Sequence, residues 1–82
     1  MGLENITEEG CKEEIKVVAG LFSDSPEKRD YLYKRSVEYF FNQYKSLKEE
    51  GKNKILALTE SLEKTREYMP KEAKEMYNFN EN

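Results

Sequence analysis

Eighty-two residues with 37% apolar and 38% charged side chains allow one domain, 1–82, with a thin core, so extra burial against a partner or a second copy is expected. Histidine is absent and Cys11 is the single cysteine, which removes the commonest general base, the Ser-His and Cys-His nucleophile pairs, the usual zinc ligand sets and any intrachain disulfide. Fourteen basic and seventeen acidic groups give a net charge of −3, an acidic balance spread unevenly: residues 1–25 carry six acids and two bases, 26–54 eight bases and five acids, and 55–82 six acids and four bases.

The opening residues MGLENITEEG have neither the basic start nor the apolar run of a secretory signal, and no stretch approaches the roughly 18 apolar residues of a membrane span. A cytoplasmic protein without membrane insertion is expected. Asn5-Ile6-Thr7 fits a glycosylation sequon that such a chain would not use, and Ile6 stands where a myristoylation signal on Gly2 wants Ser or Thr. Residues 1–6 read as a flexible start.

Thr7 is a helix N-cap with Glu8 and Glu9 in the first turn, and Ile6 is placed to staple onto Cys11. Cys11, Ile15, Val18 and Phe22, with Leu21 beside them, form one apolar face and predict a first helix over about 7–22. Ser25-Pro26-Glu27 then reads as a helix start, because proline at the first helical position has no amide donor to waste. Tyr33, Val37, Phe40, Tyr44 and Leu47 repeat at heptad-like spacing over 26–50, which ends at Gly51. After the turn Gly51-Lys52-Asn53, a third seam of Ile55, Leu58, Leu62, Thr65 and Met69 predicts a helix over 54–69. Pro70 disfavours helix at Met69 and is expected to close it. A short fourth helix over 70–77 is possible, and the end, 78–82, reads as a frayed tail.

Amphipathic helices joined by short turns, with no two-residue alternation, predict an all-α, antiparallel three-helix bundle with that possible short fourth C-terminal helix. Helix two, read as roughly 12 Å longer than helix three, must project or be covered by the C-terminal segment or a second chain.

Five large side chains fall off these seams: Tyr31, Tyr39 and Phe41 on helix two, Leu56 and Tyr68 on helix three. Tyr is enriched at interfaces because it joins an apolar body to a water-tolerant hydroxyl, so these five are the candidate partner-binding residues. Leu56, about 100° from Ile55, is the expected anchor of a groove framed by Tyr39 and Tyr68. The carboxylates do not make a catalytic set. A magnesium pattern of two glutamates and, after two intervening residues, a third fails, because Lys12 follows Glu8-Glu9 and Val17 follows Glu13-Glu14 at that place. Lys28, Arg29, Lys34 and Arg35 are interleaved with Glu27, Asp30 and Glu38, a solvated helix face rather than a nucleic-acid surface.

The run Tyr33-Lys34-Arg35-Ser36-Val37-Glu38-Tyr39-Phe40 resembles the middle helix of the microtubule-interacting and trafficking (MIT) domain, in which a Tyr is followed three residues later by a small residue, then a β-branched residue, Glu and an apolar pair. The resemblance covers roughly 15–69 and departs at Pro26 and Arg29, where the family commonly has Tyr and Ala. It implies a three-helix bundle that takes short peptide or helical motifs in grooves beside the third helix. The expected function is a small non-catalytic module, without cofactor or metal, that binds another protein through a helix or short motif as an adaptor or inhibitor. The alternative is a homo-oligomeric structural protein, a dimer whose seams on helices two and three pair across a symmetry axis; a carboxylate- and metal-dependent enzyme or a nucleic-acid binder ranks below both.

Overall fold

A computed structural model describes residues 6–81, with side chains through Tyr77. The five residues before Ile6, most of the expected flexible start, lie outside the described residues. Three helices, α1 (Glu8–Leu21), α2 (Pro26–Glu49) and α3 (Lys54–Glu81), follow one another, and no strand occurs among the described residues. Their boundaries follow local chemistry. The Thr7 hydroxyl accepts from the Gly10 amide, the Ser25 hydroxyl from the Lys28 amide, and the Asn53 side chain from the Leu56 amide at 2.8 Å. At the end of α2, Gly51 adopts φ +96°, which glycine reaches without a Cβ penalty. This lets the Lys52 amide reach the Leu47 carbonyl and the Gly51 amide the Lys48 carbonyl, satisfying two carbonyls that the helix leaves open.

Side-chain contacts fix the register. Lys12 lies over the Phe41 ring and Gly20 faces Arg29, so α1 and α2 are antiparallel. Lys28 lies over the Tyr77 ring and Tyr39 stacks on Tyr68, so α2 and α3 are antiparallel too. Arg66 bonds Glu14, tying α3 to α1. The chain is an all-α three-helix bundle. The shorter α1 lies alongside the α2 segment from about Arg29 to Phe41, leaving the α2–α3 turn end uncovered by its helical body.

Two expectations about helix length are corrected. Pro70 lies inside α3, so there is no separate fourth helix, and the backbone stays helical to Glu81. Pro70 denies the Arg66 carbonyl its helical donor, yet Met69, Ala73 and Met76 on either side of it are buried on one stripe. That burial holds the helix together across the break in hydrogen bonding. With 28 residues against 24, α3 is the longer helix, and its C-terminal half covers the start of α2.

The core is one cluster built around Cys11, Ile15, Ala19, Leu32, Phe40, Leu58, Leu62, Met69 and Ala73. Phe40, Leu47, Leu58, Leu62, Thr65 and Met69 are buried as the seams require. Tyr33, Val37, Tyr44 and Val18 lie only half-buried at its edge, whereas Phe22, Leu21 and Ile55 are exposed. The burial lines run instead through Ala19, Leu32, Ser36, Ala57 and Ser61. Four of these five are small side chains, so the line of full burial does not coincide with the line of largest residues.

Candidate functional site

The five candidate binding residues separate into three places. Tyr31 and Tyr39 stand two turns apart on α2 with Arg35 between them, and Tyr68 stands one turn before Glu72 on α3. The rings of Tyr39 and Tyr68 stack with centroids 4.3 Å apart and planes 4° from parallel. Phe41 turns the other way: it is half-buried, packs edge-on against Phe40 at 5.1 Å, and has the Lys12 ammonium over its ring. Leu56 is exposed at the turn end, twelve residues or about 18 Å along the helix axis from Tyr68. The expected groove with Leu56 as anchor between Tyr39 and Tyr68 is therefore not formed, because the two tyrosines occupy each other and Leu56 is too far away.

Around the tyrosine stripe a closed polar network forms. The Glu72 carboxylate is almost fully buried, and it accepts from the Tyr68 hydroxyl at 3.1 Å and the Tyr31 hydroxyl at 3.4 Å. The Arg35 Nε lies 3.4 Å from its second oxygen, and the guanidinium carbon is 5.8 Å from the centre of the Tyr31 ring. A buried carboxylate is tolerated only with such partners. Burial, and next the Glu72 charge, push the Tyr68 phenol above its usual range, with Arg35 opposing them.

The network forms the back wall of an open groove of about 670 Å³ between the N-terminal half of α2 and the C-terminal half of α3. Ser25, Glu27, Lys28, Tyr31, Arg35, Glu72, Glu75 and Met76 line it. Tyr31 keeps 46% of its surface exposed there. Lys28 is engaged by Asp24 at 3.2 Å and by the Tyr77 ring at 4.3 Å, and Arg35 by Glu72. Glu27 and Glu75 have no ion-pair partner among the described residues.

Two further surfaces carry exposed apolar side chains. Ile55 and Leu56, 40% and 43% exposed, line a shallow hollow of about 520 Å³ with Asn53, Lys54 and Thr59. On α1, Val17 and Leu21 stand one turn apart at 62% and 78% exposure. Sequence reasoning passed over Val17 and placed Leu21 beside the core. Both lie on the outer side of a helix whose other face, Cys11, Ile15 and Ala19, is the buried one. It also read Arg35 as part of a solvated face and did not single out Glu72. The i, i+4 spacing of Tyr31, Arg35 and Tyr39, matched by Tyr68, Glu72 and Met76, was the available signal.

No group of three or more His, Cys, Asp or Glu side chains arranged to hold a metal ion occurs among the described residues, and no described helix is long and apolar enough to cross a membrane. Burial pushes the Cys11 thiol up, with Arg66 opposing and Glu8 assisting. No family model matches this chain, and neither a curated protein nor a solved structure matches it.

Proposed function

We propose that this chain is a non-catalytic protein-binding module of the cytoplasm, an adaptor or inhibitor that receives a helix or short segment of another protein in the groove between α2 and α3. One observation carries the reading: Tyr31 is half-exposed in an open groove of about 670 Å³ whose wall is a hydrogen-bonded network. A side chain held by its neighbours loses little freedom on binding, and tyrosine is among the residues that supply most of the energy at interfaces. The groove lies beside the third helix, in keeping with the MIT-like reading of the sequence, and the three-helix architecture is compatible with that family's fold. The reading assigns no cofactor and no nucleic acid to the chain, since its basic side chains are interleaved with acids.

The test replaces Tyr31 with a photo-crosslinking phenylalanine analogue and illuminates cells that contain the protein. One discrete adduct with another protein is expected, identified by mass spectrometry and lost when Glu75→Lys reverses the charge of the groove wall. An absence of adducts from position 31, with adducts from the same analogue placed at Leu56, would move the binding surface to the turn end and overturn the groove.

A further inference from the structure

We infer that copies of this chain associate head to tail, the outer face of α1 on one copy seating against the α2–α3 turn end of the next. The motive is two apolar surfaces that the fold leaves open and that one chain cannot use to cover each other. With Glu14 beside Arg66, Leu21 lies about 10 Å beyond that pair along the bundle and Leu56 about 15 Å before it, so the patches stand about 25 Å apart along the axis. Each is a compact pair: Val17 with Leu21, one helical turn apart, and Ile55 with Leu56, adjacent in a hollow. Each therefore places two large apolar side chains side by side in the open, where a surface usually carries them singly.

Charge decides which surface meets which. On α1 the Glu9–Lys12 and Glu14–Arg66 pairs leave Glu8, Glu13 and Lys16, a balance of one negative charge, and over residues 45–56 the Lys52–Glu60 pair leaves Lys45, Lys48 and Lys54 against Glu49 and Glu50, a balance of one positive charge. Setting either surface against itself across a twofold axis opposes like charges, whereas setting one against the other pairs unlike charges around an apolar centre. The symmetric alternative, in which the seams of helices two and three pair between copies, has lost its largest side chains to the chain's own core and keeps only the half-buried Tyr33, Val37 and Tyr44 and the exposed Ile55. Phe40, Leu47, Leu58 and Leu62 are already buried within the chain. A contact between two different surfaces does not close on itself in a dimer, so each added copy leaves one surface of each kind free. The inference is independent of the α2–α3 groove, which neither surface includes.

Sedimentation of the parent protein from micromolar to millimolar concentration tests it, together with Leu21→Asp and Leu56→Asp. Both substitutions are at exposed positions, and unchanged far-ultraviolet circular dichroism checks that the fold is kept. The parent is expected to grow past a dimer as concentration rises, and each variant alone to stay at the monomer mass. An equimolar mixture of the two variants should form a 1:1 dimer and stop, because Leu21→Asp retains a good turn end and Leu56→Asp a good α1 face. A parent that remains monomeric throughout overturns the inference. So does a parent that stops at a dimer while the mixture of variants stays monomeric, which is the signature of a symmetric interface.

Discussion

At the open end of the α2–α3 pair, residues 26–41 face 66–77 through polar and aromatic groups. Tyr31, Arg35 and Tyr68 converge on Glu72, Tyr39 stacks on Tyr68, and α1 lies against the α2 half of this region. At the turn end the same two helices meet through Leu47 and Ala57, both buried outside the main core cluster, and the chain reverses on Gly51 with two capping hydrogen bonds. The first region is directional: each group fits one partner geometry, which rigidifies it and makes it costly to rearrange. The second is apolar and local, and it leaves Ile55 and Leu56 in the open. Three-layer packing and a hydrogen-bonded network therefore lie towards one end of the bundle, with two-helix packing and free apolar surface at the other.

The largest expected effect tests where the first region draws its strength. Phe40 is fully buried and touches Phe41 and Tyr44 within the cluster that all three helices share. Phe40→Ala should cost about 3–5 kcal/mol, comparable to the whole stability of so small a domain. Leu47→Ala, at the turn end, should cost nearer to about 2 kcal/mol, since fewer neighbours are left facing the cavity. Urea denaturation followed by circular dichroism measures both. Equal losses would remove the distinction between the two ends.

Next in size is Pro70→Ala, which should stabilise the chain. Proline inside a helix is about 3 kcal/mol less favourable than alanine, and part of that should return, on the order of 1–2 kcal/mol, once residue 70 can donate to the Arg66 carbonyl. A fall in melting temperature would mean that a bend at Pro70 is needed to seat Glu72 and Met76 against α2.

How far the sequence could be read divides along the same line. The caps at Thr7, Ser25 and Asn53 and the turn at Gly51 were legible because each depends on atoms within three or four residues. Phe40 was legible because a large apolar residue at the centre of a helical stripe has no better place than the core. Pro70 misled, since the local preference against helix was overruled by burial of Met69 and Met76, which depends on α2. Ser36 and Ser61, both fully buried, were invisible because a search for large apolar residues passes over small polar ones. Among the candidate binding residues, only Tyr31, Tyr39 and Tyr68 gather in one place, because wheel angles say which side of a helix a residue occupies and not how far along it a partner stands. Glu72 draws the three-dimensional arrangement together, and an acid between two lysines in the sequence gives no hint of burial.

Those two serines give a smaller effect. Their hydroxyl oxygens are buried without a hydrogen-bond partner among the described residues, one on α2 and one on α3. A buried, unpartnered hydroxyl costs on the order of 1–3 kcal/mol, and alanine keeps nearly the same volume. Ser36→Ala and Ser61→Ala should each raise stability by about 1 kcal/mol. Thr65, whose hydroxyl donates to the Ser61 carbonyl at 2.7 Å, is the control in which removing a satisfied group and a methyl should destabilise. Loss of stability in both serine variants would mean that their hydroxyls are bonded in solution.

The smallest effect lies in the pH dependence of the tyrosine network. Burial first, then the Glu72 carboxylate, raise the Tyr68 phenol above its usual range in the folded chain, while in the unfolded chain it titrates near about 10. Between those two values the unfolded chain has given up a proton that the folded chain retains, so unfolding releases protons and stability falls as pH rises. The contribution is complete below about pH 10 and is lost as pH climbs through the folded value. Tyr68 is partly open to solvent, so water screens the effect and it should be small. Tyr68→Phe keeps the ring stacked on Tyr39 and deletes the titrating group. The melting temperature of this variant should therefore decline less steeply than the parent's above that pH, while the lysines, common to both proteins, cancel in the difference. Parallel declines would place the Tyr68 hydroxyl in water, away from Glu72, and would leave Arg35 and Tyr31 alone to hold the buried carboxylate.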